Sequence, residues 1–136
     1  MSNPERDPIV GQIIGAAIKV HRALGPGLLE SPYTDCLEHE LRKIGLHVQR
    51  EVPVPLMYDG IALDCCYRLD LVVDRDVIVE VKSVESLLPI HDAQILTYLR
   101  LTDARQALLL NFNAPTLKAG LRSFLGRGKQ VPPDDV

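Results

Sequence analysis

Asp70, Glu80 and Lys82 are the residues of this chain best suited to chemistry. Asp70 lies in the run Tyr67-Arg68-Leu69-Asp70-Leu71-Val72-Val73, and the other two lie in Val77-Ile78-Val79-Glu80-Val81-Lys82-Ser83. Paired as a hairpin, the two runs bring all three charges to one place. Two converging carboxylates hold a hard divalent cation, and an ammonium group beside them positions a water or offsets charge on a phosphate. Residue types in this pattern point to metal-dependent cleavage of a phosphodiester.

The alternation of side chains selects the register. A two-residue loop at Arg75-Asp76 would oppose Asp70 to Val81 and scatter apolar residues over both faces, which wastes the alternation. A three-residue loop at Asp74-Arg75-Asp76 opposes Leu71 to Val79, Val73 to Val77, Leu69 to Val81, Asp70 to Glu80 and Arg68 to Lys82. One face is then wholly apolar. The other carries Val72 and Ile78 near the turn and Arg68, Asp70, Glu80 and Lys82 at the far end. A cross-strand salt bridge on a solvated face is the plain alternative. Like charges placed directly across a ladder are destabilising, however, so Asp70 opposite Glu80 calls for a counterion or metal.

These residues need a scaffold, and the composition allows one. A chain of 136 residues buries enough surface to fold as one domain without staples. Its 46% hydrophobic and 24% charged content is that of a globular protein. Aromatic residues make up only 4%, with no Trp, so platforms for stacking single-stranded bases are scarce. A net charge of -3 and a pI near 5.8 argue against a strongly basic nucleic-acid clamp, but an acidic metal site is itself a source of negative charge. Cys36, Cys65 and Cys66 lack the spacing of a zinc or iron–sulfur site and read as reduced thiols. With no apolar signal core and no membrane-length apolar run, a cytoplasmic protein with no membrane association is expected.

The elements follow from periodicity. A first helix starts with Asp7 as cap and Pro8 at its first position, carries Ile9, Ile13, Ala16, Ala17, Val20 and Leu24 as its stripe, and ends at Gly25-Pro26-Gly27. A second is expected over 32–44, with Tyr33, Leu37, Leu41 and Ile44 on one side and Gly45 as its stop. Extending that stripe back by one turn reaches Glu30, where a capping role competes with a site role. A strand over 46–58, edge-like or bulged at Pro53 and Pro55, turns at Asp59-Gly60 into a strand over 61–73. The third strand, 77–83, completes an antiparallel meander. A helix over 90–101 follows, and Gln106 to Phe112 reads as a buried strand. The segment 117–125 reads as a short helix or an edge strand, and residues from Gly126 onward as a loose tail. Gln94 and Tyr98 share a helix face with Leu101, which by itself fits a structural role. His91 reads as a surface or capping residue near a helix start, and none of the four histidines takes a catalytic role.

The run Gly27-Leu28-Leu29-Glu30-Ser31-Pro32-Tyr33 resembles the motif of the GxxExxY protein family. The surrounding Val20-His21-Arg22-Ala23-Leu24-Gly25-Pro26, Tyr67-Arg68-Leu69-Asp70, Glu80-Val81-Lys82 and Leu110-Asn111-Phe112 are similar to that family in order and spacing, from about residue 9 to residue 125. The family is regarded as a branch of the PD-(D/E)XK nuclease superfamily, with RecB-like members among its kin. The resemblance implies an α/β, restriction-endonuclease-like core: a mixed central sheet made of a three-strand antiparallel meander plus a crossover strand, flanked by helices. A single such domain over 1–136, with a core of about 7–125, is expected.

By the same resemblance Asp70 is the motif aspartate, Glu80 the second acidic ligand, Lys82 the motif lysine and Glu30 an additional helix glutamate. Leu69 stands where the superfamily name places Pro. Gln94 and Tyr98 are similar to the QxxxY element of RecB-like members, which contacts nucleic acid. The implied function is a Mg²⁺- or Mn²⁺-dependent nuclease acting on DNA, with the metal held by Asp70, Glu80, the Val81 carbonyl and Glu30. One-metal and two-metal mechanisms both stay open. So do a noncatalytic binding module on the same scaffold, a small-molecule phosphodiesterase, and association with a second copy or another protein.

Overall fold

The computed structural model describes residues 7–54, 56–63 and 67–126. Helix α1 spans Pro8–Leu24, its first turn capped by the Asp7 carboxylate, which accepts hydrogen bonds from the Ile9 and Val10 amides. Gly25, at φ 69°, ends it. Val10, Ile13, Ala16, Ala17 and Val20 are buried as the stripe requires, while Leu24 lies at its exposed margin. Helix α2 spans Glu30–Lys43, two residues earlier than expected. Pro32 falls in its first turn, where no amide donor is needed, so proline does not mark the start. Tyr33, Leu37 and Leu41 are buried, but Ile44 is exposed because it lies beyond the last helical residue.

The expected strand over 46–58 is divided into β1 (Val48–Pro53) and β2 (Leu56–Tyr58), and that over 61–73 into β3 (Ile61–Leu63) and β4 (Arg68–Val73). Strands β2 and β3 form a hairpin of their own through Asp59 and Gly60, both at positive φ as a type I′ turn demands. Pro55, Cys65 and Cys66, to which expectations attached, lie outside the described residues, as does the tail beyond Gly126. Strand β5 spans Val77–Lys82, helix α3 Pro89–Leu101, β6 Gln106–Asn111 and β7 Leu121–Leu125; a single 3₁₀ turn, Lys118–Gly120, precedes β7. Both alternatives for 117–125 are thus used in succession. His91 caps α3, its Nδ1 accepting from the Leu88 amide.

The order in the main sheet is β1-β4-β5-β6-β7. Only β5 and β6 are parallel, and α3 is the crossover between them. Helices α1 and α2 cover one face, where Ile13, Tyr33 and Leu37 meet Leu71, Val79, Leu108 and Phe112. Helix α3 covers the other, where Ile95 and Leu99 meet Val72, Ile78, Ala107 and Leu109. Every residue of β6 is buried, which explains its unbroken apolar run. The architecture is α/β, with a mixed sheet flanked by helices. No helix among the described residues is long and apolar enough to cross a membrane.

Candidate active site

The β4–β5 ladder has the register expected from the three-residue turn: Val73 faces Val77, Val72 faces Ile78 and Leu71 faces Val79. There it stops. Asp70 would face Glu80 next, but backbone pairing gives way to side chains. The Val81 amide donates to Asp70 Oδ2 at 2.8 Å, and the Asp70 amide donates to Glu80 Oε1 at 3.2 Å. The other neighbour opens at the same residue: β1 pairs Arg50 with Leu71 and Val52 with Leu69, while Glu51, opposite Asp70, turns to φ 53°. Asp70 thus belongs to neither ladder. The expected pairs Leu69–Val81 and Arg68–Lys82 are not part of the ladder, and Leu69 packs with Val72, Ile78 and Ile95 rather than on the face of Leu71. The break at Asp70 uncouples the residues before it from the alternation that follows.

Glu80 is 5% exposed. Burial first, and the neighbouring charge and hydrogen bond of Asp70 next, push its carboxyl up to about 9, against the weaker pull of the Asp70 amide and the Lys82 charge. Two carboxyls in one desolvated gap cannot both ionise readily without a cation. This fits a divalent ion, whose charge would release the Glu80 proton. Lys82 ends β5 half-buried, in parallel register with Asn111. The buried Val81 side chain points into the α1/α2 core, which leaves its main chain at the gap.

Glu30 is the first residue of α2 and half-buried. Its carboxylate has no hydrogen bond or ion pair among the described residues, and no three His, Cys, Asp or Glu side chains among them converge as a metal site. Asp70 and Glu80 therefore form the convergent pair, and Glu30, at the start of α2, does not join them as a third member of such a group among the described residues. That loop is fixed. Tyr33 Oη donates to the Gly25 carbonyl at 2.5 Å and accepts from the Leu28 amide at 3.1 Å, while its ring stacks on Phe112 with centroids 4.7 Å apart. Gly27, at φ 105°, donates to Asn113 Oδ1, and the Ser83 hydroxyl donates to the Leu28 carbonyl. The residue after Lys82 thus holds the loop that leads into Glu30.

Gln94 and Tyr98 lie together along a groove of about 220 Å³ between α3 and the start of β4, with Leu101, Tyr67 and Val54 in its walls. The Tyr67 and Tyr98 rings are tilted at 52°, centroids 6.4 Å apart. Sequence reasoning placed Asn111 in a run that resembles the family but gave its side chain no role. Its buried amide accepts from the Val84 and Asn113 amides and donates to the Val84 carbonyl, which shapes the turn after Lys82. Its signal was a polar residue closing an apolar strand.

An acidic pair and a lysine thus stand at an opened strand end of a mixed sheet. The model of the PD-(D/E)XK nuclease superfamily matches residues 7–124. The chain belongs to that superfamily. PD-(D/E)XK nucleases generally use divalent metals, in keeping with the Asp70–Glu80 pair. The match runs from the α1 cap to the penultimate residue of β7, so it spans the strands and helices around the Asp70–Glu80 pair. No curated protein and no solved structure matches the chain significantly.

Proposed function

We propose that this protein is a Mg²⁺- or Mn²⁺-dependent nuclease that hydrolyses phosphodiester bonds of DNA, and that within its superfamily it stands with the GxxExxY and RecB-like proteins. The observation that carries the reading is the opened β4–β5 ladder, where Asp70 and Glu80 face each other with Lys82 two residues on. Asp70, Glu80 and the Val81 carbonyl would hold the cation, and Glu30 would complete the set through water. When bound, the cation acidifies a water and offsets charge on the scissile phosphate.

The chain's own groups do the rest. Asp70, held by the Val81 amide, presents a fixed oxygen to the ion. Lys82 reaches the same gap and orients the attacking water or balances charge that develops on the phosphate. Gln94 and Tyr98 hold the strand in the groove beside α3. Hydrolysis joins the water oxygen to phosphorus and breaks the bond to the leaving deoxyribose oxygen; the attacking water gives up a proton to solvent and the leaving oxygen takes one from it.

The test is cleavage of plasmid and linear DNA with and without Mn²⁺. Activity that needs the ion and vanishes in Asp70→Ala and Lys82→Ala, with both variants folded by circular dichroism, supports the reading. Activity that survives both changes excludes the site. That Glu30 does not join the acidic pair as a third member among the described residues favours a second reading, a binding module that takes up the ion without turnover. Calorimetric Mn²⁺ binding with no cleavage of any DNA or RNA would establish it.

A further inference from the structure

The cations among the described residues divide into two sets. Lys19, Arg42, Lys43, Arg50, Arg105 and Arg122 are held in ion pairs with carboxylates. Arg22, Arg68, Arg75, Lys82, Arg100 and Lys118 form no such ion pair there, although the Lys82 charge is felt by Glu80. Arg75 lies in the β4–β5 turn and Arg100 near the end of α3. Arg68 and Lys82 sit at the opened strand ends. Arg22 and Lys118 flank a groove of about 550 Å³ that no carboxylate lines.

Three hydrogen bonds frame this groove and join it to the site. His21 Nε2 donates to the Ala114 carbonyl at 2.9 Å, so the helix that carries Arg22 is tied to the segment that leads to Lys118. Gly27, just past Gly25 and Pro26 in the groove wall, donates to Asn113, and the Ser83 hydroxyl donates to the Leu28 carbonyl. The groove and Lys82 therefore lie on either side of one short, pinned loop. A polyanion that reaches the carboxylate gap would meet two uncompensated cations on the far side of that loop. Unpaired basic side chains framed by apolar walls favour a phosphodiester backbone, since a fork-shaped guanidinium and a mobile ammonium both donate hydrogen bonds to its oxygens.

We propose that Arg22 and Lys118 bind backbone phosphates of the nucleic-acid substrate away from the scissile bond, making this groove a second anchor for the strand. The proposal rests on the nuclease reading for the identity of that strand, but its test does not depend on turnover. Fluorescence anisotropy with labelled duplexes in EDTA, over a range of KCl, measures binding without cleavage. The double variant Arg22→Ala with Lys118→Ala is expected to weaken binding of a long duplex about 10-fold and to make the dependence of log affinity on log salt shallower by roughly 1–2. The charge-keeping pair Arg22→Lys with Lys118→Arg is expected to restore most of the loss. A duplex too short to span both regions is expected to bind wild type and double variant alike.

A double variant with wild-type affinity and salt slope on the long duplex overturns the proposal, as does a wild type that binds no nucleic acid, or a preference of the groove for an acidic peptide over duplex. A wild type that binds duplex but cleaves nothing with Mn²⁺ defeats the catalytic reading, and the anisotropy still decides whether the groove is the anchor.

Discussion

The two ends of the β4–β5 pair treat acidic residues in opposite ways. At the turn end, Asp76 receives the Arg105 guanidinium at 2.6 Å, Arg105 also pairs with Asp7, and Asp74 accepts from the His47 amide. Every carboxylate there has a donor, and the arrangement joins the start of α1, the turn and the start of β6. At the other end Asp70 and Glu80 face each other across an opened ladder, and Glu80 is buried without an ion-paired cation. The same pair of strands thus has a self-satisfied end and an end that needs an ion from outside. Acidic residues that serve folding are neutralised within the fold, whereas those that serve a ligand are left short of positive charge.

The largest effect that tests this contrast is on chemistry. Asp70→Ala is expected to lower Mn²⁺-dependent cleavage at least about 1,000-fold, roughly 4 kcal/mol of transition-state stabilisation. Single-turnover assays measure it. Asp76→Ala, at the other end, is expected to leave the rate per folded molecule within about 2-fold of wild type, and equal losses from both changes would erase the distinction.

The next effect concerns stability and pH in the metal-free protein. The Glu80 carboxyl titrates near 9 when folded and near its ordinary value of 4.5 when unfolded, so the unfolded chain gives up this proton first. Its contribution is most favourable below about pH 4.5 and declines as pH rises toward 9. Glu80→Gln removes that decline. Its melting temperature is expected to exceed that of wild type by roughly 5 °C at pH 8 in EDTA, with the gap closing toward pH 5. Saturating Mn²⁺ should close it as well, since only wild type gains from the ion. A gap that is constant with pH would mean that the buried carboxyl is not the cause.

Smaller changes probe the supports of each end. Tyr33→Phe deprives the Gly25 carbonyl and the Leu28 amide of their shared hydroxyl and is expected to cost about 1–2 kcal/mol in urea melts. It should also cost more activity than its stability loss explains, because the loop that leads into Glu30 slackens. Asp76→Ala is expected to cost about 1 kcal/mol or less, since its partner Arg105 is half-exposed and keeps Asp7. A Tyr33→Phe protein with full activity would place the loop outside the site.

Much of this organisation was legible in the chain. Alternation alone selected the three-residue turn at Asp74-Arg75-Asp76, and with it Leu71 opposite Val79. The Asp59-Gly60 turn and the Asp7-Pro8 helix start were read from residues whose local preferences are strong. Legibility ended where the determinants lie far apart. Alternation cannot show that the ladder parts at Asp70, because the parting depends on side chains that replace backbone partners. Leu69 consequently packs on the unexpected face. The roles of Tyr33, Asn111 and Asn113 were hidden for the same reason, since the groups they join, such as Gly27 and Asn113, meet only after folding.

The reach of one phenol has a consequence for how this chain can vary. Tyr33 is tethered at both ends, its ring on Phe112 and its hydroxyl on the backbone of Gly25 and Leu28. One residue added between Glu30 and Tyr33 would rotate the glutamate about 100° around the helix axis while the tyrosine kept its berth. Length, as much as residue identity, is therefore what this stretch must preserve.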